Sequence, residues 1–130
     1  MKRDLLTLDD VTRPQLEVLL QWAARLKDYL KRGVPHRFLE GRTLGMIFKK
    51  PSSRTRVSFE IGMFQMGGLA LFLNNHDLGM GMRESVADIG RLFSRYLDGI
   101  VIRTFAHEEV AELARYATIP VINGLTDLHH

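Results

Sequence analysis

At 130 residues the chain has the size of one domain able to bury a core of its own. Its 45% hydrophobic and 25% charged residues are ordinary for a globular domain, and its apolar runs fall short of the roughly 20 residues a membrane span needs. A net charge of +3, without Lys and Arg clustered among aromatics, argues against nucleic acid; the absence of cysteine excludes disulfides and thiolate chemistry and favours a cytoplasmic protein.

The N-terminus, Met1-Lys2-Arg3-Asp4, leads into an amphipathic pattern with Asp9, Asp10 and Glu17 rather than a secretory signal. Thr12 suits an N-cap, with Pro14 and Glu17 in the first turn of a helix that Gly33 and Pro35 end. Leu16, Leu19, Leu20, Ala23, Leu26 and Leu30 recur at helical spacing, and the stripe reads as core packing. Residues 43–48 (Thr-Leu-Gly-Met-Ile-Phe) read as a buried strand and Lys-Lys-Pro-Ser-Ser as a loop. Arg54 to Met66 reads as a helix with Val57, Ile61 and Phe64 inward, ended by Gly67-Gly68. Leu69 to Leu73 is a second strand, Asn74 to Arg83 a mobile loop, and Glu84 to Tyr96 a helix with Ser85 as candidate cap.

Residues 99–104 form the clearest strand, apolar on both faces as in a covered parallel sheet. Glu108 to Tyr116 is helical, 120–123 a last strand, and Gly124-Leu-Thr-Asp a turn. This alternation predicts an α/β fold: a four-stranded parallel sheet with helices on both faces, plus the N-terminal helix, in one domain over 1–130.

The chemistry concentrates in Pro51-Ser-Ser-Arg-Thr-Arg-Val-Ser-Phe-Glu60, where a strand gives way to a helix. A helix start offers unpaired N–H groups and positive potential to an anion. Ser52, Ser53 and Thr55 add hydroxyls, and Arg54 adds a forked cation suited to phosphate oxygens. Arg54 and Arg56 stand about 200° apart around a helix, so both cannot face one ligand. We assign Arg54 to the phosphate and Arg56 to structural support, paired with Glu60. The same residues equally suit a capped surface helix with two solvated arginines. No nucleotide P-loop, Gly-x-Ser-x-Gly elbow or metal-ligand spacing is present; His36, His76 and His107 are scattered.

Phe48-Lys-Lys-Pro-Ser-Ser-Arg-Thr-Arg-Val-Ser-Phe-Glu60 resembles the signature of aspartate and ornithine carbamoyltransferases, with Ser53 where that family usually has Thr. Further matches follow in order: Arg83-Glu-Ser85 with Asp88, then Asp98-Gly-Ile-Val-Ile-Arg103, then Asn123-Gly-Leu-Thr-Asp-Leu-His-His130. The last two look like the ornithine branch. The resemblance implies that Ser52, Ser53, Arg54 and Thr55 hold the phosphate of carbamoyl phosphate, with phosphate or sulfate able to substitute. It implies that Arg103 reaches the phosphate and the carbonyl oxygen, and that His130 binds that oxygen. Read alone, Arg103 could be an exposed strand-end charge, though its place at the carboxyl end of a parallel strand favours a ligand, and a terminal His pair is equally a frayed end or tag remnant. His129 has no role in this reading.

The resemblance also implies a homotrimer in which a polar residue at the position of Gly79 enters the neighbouring subunit's site; glycine has no side chain, so either a neighbour such as His76, Asp77 or Arg83 substitutes or the site lacks that contact. Leu78, Met80 and Met82 beside it suit an interface. The implied reaction transfers a carbamoyl group to the δ-amine of ornithine, with Arg54, Thr55, Arg103 and His130 catalytic and no metal or organic cofactor. The amine-binding domain, onto which the resemblance packs the N-terminal helix, and the Pro-x-Gln that should follow His130 are missing from these residues, so the chain is expected to be inactive alone. A related enzyme acting on another amine, or a non-catalytic phosphate-binding or assembly domain, would share these features.

Overall fold

The computed structural model describes residues 1–130 throughout. A 3-10 turn at Leu8–Asp10 precedes α1 (Arg13–Lys31). α1 starts at Thr12, as expected. The Thr12 hydroxyl accepts from Gln15 N–H, the Gln15 side chain accepts from Thr12 N–H, and Pro14 sits where its missing N–H leaves nothing unpaired. Strands and helices then alternate: β1 (Thr43–Phe48), α2 (Ser53–Gln65), β2 (Leu69–Asn74), one-turn α3 (Asn75–Leu78), α4 (Val86–Phe93), β3 (Gly99–Arg103), α5 (His107–Tyr116) and β4 (Val121–Leu125). No helix is long and apolar enough to cross a membrane.

The four strands form one parallel sheet in the order β2-β1-β3-β4, the expected α/β architecture. Central β1 and β3 are buried from both sides, with Met46, Ile47, Ile100, Val101 and Ile102 all 0% exposed. On one face Ile47, Ile100, Ile102 and Val121 pack with Val86 and Ile89 of α4 and Val110 and Leu113 of α5. On the other, Leu44, Met46, Phe48 and Val101 pack with Met63 of α2. Two-sided burial is why these strands read as continuous apolar runs rather than alternating ones.

Several expectations need correcting. Val57, Ile61 and Phe64 do not face inward: they are 54%, 48% and 75% exposed, whereas Met63 is buried and Phe59 half-buried. Both rows have helical spacing, so periodicity alone could not set the rotation of α2; the apolar face of β1 and β2 sets it. The stripe on α1 is not core either, because none of its residues is buried and Leu19, Leu20 and Leu30 are about half exposed. The sheet's faces are already taken by α2 and by α4 with α5. The helix expected over 84–96 runs only Val86–Phe93, and β4 extends through Gly124 and Leu125, which were expected to turn. Met80 is wholly buried and Leu78 packs on the core, leaving Met82 as the exposed apolar side chain of that loop.

At the amino ends of β1 and β3, Asp98 ties the strands together. It accepts from Thr43 N–H (2.8 Å), Thr43 Oγ1 (3.1 Å) and Arg42 Nη1 (2.9 Å). The Thr43 backbone N–H above all, then Arg42, holds its carboxyl below the ordinary aspartate range.

Two stability outcomes follow. Met63→Ala is expected to cost about 2–5 kcal/mol in urea unfolding and Phe64→Ala under about 1 kcal/mol, the reverse of what the helical pattern predicts. Asp98→Asn is expected to cost about 1 kcal/mol near neutral pH. Because the folded carboxyl is the stronger acid, that contribution is present above the ordinary aspartate pKa and disappears as pH falls through the lower folded value. Unfolding midpoints of the two proteins should therefore converge below about pH 4.

Candidate functional site

The carboxyl ends of the strands are where an open parallel sheet presents a ligand, because chain leaves them in opposite directions and opens a crevice. Phe48 at the end of β1 lies in register with Arg103 at the end of β3, and Lys49 N–H donates to Arg103 O at 2.8 Å. The loop 49–52 thus starts beside Arg103 and delivers the chain to the start of α2.

That start is built as an anion cradle. Ser52, in extended conformation, caps α2 through its side chain, which accepts from Thr55 N–H at 3.3 Å. The N–H groups of Ser53 and Arg54 belong to the first turn and have no intrahelical acceptor. Ser52 and Thr55 are half-buried; Ser53 and Arg54 are exposed. The Arg54 guanidinium makes no ion pair, whereas Arg56 is committed: its Nε donates to Glu60 at 3.0 Å and its guanidinium lies 3.7 Å from the centroid of Phe72. The expected pairing of Arg56 with Glu60 is present.

Not all of the geometry follows expectation. A hollow of 460 Å³ beside the cap is lined by Lys49, Lys50, Ser52, Ser53 and Arg56, and Arg54 is not part of its wall. A second hollow of 580 Å³ shares Phe48, Lys49 and Asn74 with the first and adds His76, Gly79 and Arg83. Gly79 closes α3 in the left-handed region (φ 64°), and a Cβ there would lie 2.6 Å from Arg83 Nε. Its N–H donates to Asn75 O, and its carbonyl accepts from Met82, Arg83 and Glu84 N–H. Glycine at this position therefore serves the turn. Arg83 is equally committed, donating to the carbonyls of His76 (2.6 Å) and Asp77 (2.8 Å).

Arg103 is half-buried. One guanidinium nitrogen donates to Gly124 O at 3.3 Å, while its Nε is buried without a partner, a donor left for an acceptor outside the chain. Beside it the β3–β4 ladder slips at Ile102/Arg103, and Leu125 takes φ 152°, a strained value for a residue with a side chain. Asn123 holds the irregularity: its Oδ1 accepts from Leu125 N–H (2.9 Å) and its Nδ2 donates to Leu6 O (2.9 Å).

Two groupings at this edge were missed by the sequence reading. Lys49 pairs with Glu109 of α5, which also accepts from the buried Thr104 hydroxyl. Lys50 pairs with Asp127 at 2.9 Å and lies 4.6 Å from the centroid of Phe105. The double lysine next to the Ser-Ser loop was the available signal, but its acidic partners lie about 60 and 77 positions along the chain. The segment 126–130 carries His130 as an exposed residue; its turn is closed by Thr126 N–H donating to His129 O at 2.7 Å.

Comparison with known proteins identifies the family and matches the fold. Residues 3–130 match the family model described as aspartate/ornithine carbamoyltransferase, carbamoyl-P binding domain. An ornithine carbamoyltransferase of Thermococcus kodakarensis is 54% identical over 128 residues, 98% of this chain and 41% of its own. The solved ornithine carbamoyltransferase from Pyrococcus furiosus superposes with a TM-score of 0.93 at 52% identity, covering 95% of this chain and 40% of that one. The catalytic subunit of M. jannaschii aspartate transcarbamoylase superposes with 0.84 at 30% identity, over 96% of this chain and 41% of that one. The chain thus spans about two fifths of the length of the relatives it matches. It belongs to the aspartate/ornithine carbamoyltransferase family, and what it carries is that family's carbamoyl-phosphate-binding domain.

Proposed function

We propose that this domain binds carbamoyl phosphate at the carboxyl edge of its sheet, and that it serves transfer of the carbamoyl group to the δ-amine of ornithine. Ser52, Ser53, Arg54 and Thr55 hold the phosphate, Arg103 bridges phosphate and carbonyl oxygen, and His130 meets that oxygen. The observation that carries the reading is the buried, unpartnered Nε of Arg103, in register with the end of β1 and so beside a helix start with free N–H groups. Both features want the same kind of ligand, a compact anion rich in oxygen. The names of the matched relatives supply ornithine as the amine.

Chemically, the amine attacks the carbonyl carbon and negative charge grows on the carbonyl oxygen and then on the departing phosphate. Donors fixed at both positions lower the barrier without a covalent intermediate. Arg54 rather than Arg56 is the phosphate ligand in this proposal, because Arg56 is already held by Glu60 and Phe72 whereas Arg54 has no ion-pair partner. Arg54 would have to swing in from outside the hollow, as a long exposed side chain can.

Calorimetric titration with carbamoyl phosphate tests this. Arg54→Ala and Arg103→Ala are each expected to weaken binding at least tenfold, a loss of about 1.4 kcal/mol or more, and Arg56→Ala by less than threefold. Equal losses for Arg54 and Arg56 would overturn the assignment. The 130-residue chain incubated with carbamoyl phosphate and ornithine is expected to yield no citrulline above background, since it spans about two fifths of its relatives' length and the residues assigned to the site hold only the carbamoyl donor, leaving the amine outside near-attack geometry.

Cytoplasmic residence and a homotrimer belong to the same proposal. Support for self-association comes from Val57, Ile61 and Phe64 on the outer side of α2 and Leu69 and Leu71 on edge strand β2, apolar side chains that nothing in the chain covers. Sedimentation equilibrium is expected to give three times the chain mass, and Phe64→Glu to give monomer with unchanged helicity. A wild-type monomer at high concentration would contradict it.

A further inference from the structure

We infer that His107 is a positioning residue for the carbamoyl end of the ligand, acting through Thr126 on the turn that presents His130. This rests on the reading of His130 as a carbonyl-oxygen ligand. His107 opens α5, and its Nδ1 lies 3.1 Å from the Oγ1 of Thr126, a residue only 3% exposed. That hydroxyl also accepts from His129 N–H at 3.1 Å and donates to His129 O at 3.2 Å.

A hydroxyl has one proton and two lone pairs. With the proton given to His129 O, the contact from His107 is a donation by Nδ1–H, and the buried hydroxyl is fully satisfied. The direction of the chain is then fixed: imidazole N–H to hydroxyl, hydroxyl to the carbonyl of His129, the peptide immediately before His130. The same carbonyl accepts from Thr126 N–H at 2.7 Å and from Asn123 Nδ2 at 3.5 Å. The His129 ring adds an edge-on contact to His107, centroids 4.7 Å apart.

An otherwise exposed segment is thereby tied to α5, whose first turn also carries Glu109, the partner of Lys49 and Thr104. One helix end therefore sets the positions of Lys49, just after β1, and of the residue before His130. Removing the imidazole donor leaves Thr126 Oγ1 with an unfilled lone pair and frees the turn, while Ser52–Thr55, on a different element, stay in place.

Two probes separate these effects. Phosphonoacetamide, the hydrolysis-resistant methylene isostere of carbamoyl phosphate, carries the carboxamide; methylphosphonate carries only the anionic end. Calorimetry on the 130-residue chain is expected to show tighter binding of phosphonoacetamide. His107→Phe and Thr126→Val should each reduce that advantage roughly fivefold, the worth of one hydrogen bond, with methylphosphonate affinity unchanged. His107→Asn, which keeps an N–H donor near the Nδ1 position, should restore it. Thr126→Val keeps the volume of the side chain and serves if His107→Phe does not fold. An undiminished advantage in either variant overturns the inference. So does a wild-type chain that binds both probes equally, although the phosphate site would then stand. A wild-type chain that binds neither overturns the phosphate site as well.

Discussion

Burial of β1 and β3 from both sides is the constraint on which the other parts of the molecule depend. Each central strand carries side chains with no exposure on either face, so α2 must cover one face and α4 with α5 the other. Parallel strands connected this way bring their carboxyl ends to one edge, and the chain delivers Lys49 to Ser52, Arg103 to Phe105 and Leu125 to His130 there. The apolar core thus does the gathering that no local motif could. Strain is confined to the same edge, where the ladder slips at Arg103 and Leu125 takes its unusual φ.

Once gathered, the cations of this edge are sorted by what already holds them. Lys49 faces Glu109, Lys50 faces Asp127, Arg56 faces Glu60, and Arg83 is spent on two backbone carbonyls. The more exposed of these pairs, such as Arg56 with Glu60, contribute about 0–1 kcal/mol each, too little to matter much for folding. Their consequence is positional: a paired cation is a poor ligand for an incoming anion. Arg54 has no ion-pair partner, and Arg103 has a buried donor to spare. Neutralising the surrounding lysines while leaving these two arginines available concentrates the positive field where phosphate is expected.

The sequence disclosed the element order, the sheet type and the anion loop because each depends on nearby residues. Thr12, Ser52 and Ser85 are caps that act within three positions, and two-sided apolar runs mark covered strands by themselves. The rotation of α2 was not legible, since Val57/Ile61/Phe64 and Phe59/Met63 are both helical rows and only the sheet chooses between them. The α1 stripe was misread for a related reason: amphipathicity shows that a face wants cover, not that this chain supplies it. Contacts between residues distant in sequence, such as Lys49 with Glu109, leave no local pattern. His107 and His129 were dismissed as scattered or without a role, and become neighbours only after β4 and α5 are placed.

The central claim is that a small oxyanion binds at the carboxyl edge of the sheet. The competing location is the more apolar hollow of 590 Å³ under α2 near the amino edge, lined by Leu39, Thr43, Phe59, Met63, Pro120 and Ile122 among others. The most direct test is amide chemical-shift mapping of the labelled chain titrated with carbamoyl phosphate. The expected result is saturable shifts concentrated on Ser53, Arg54, Thr55 and Arg103, with Thr43 and Gly99 unmoved. Shifts centred on Thr43, Gly99 and Ile122, or none at saturating ligand, would contradict it.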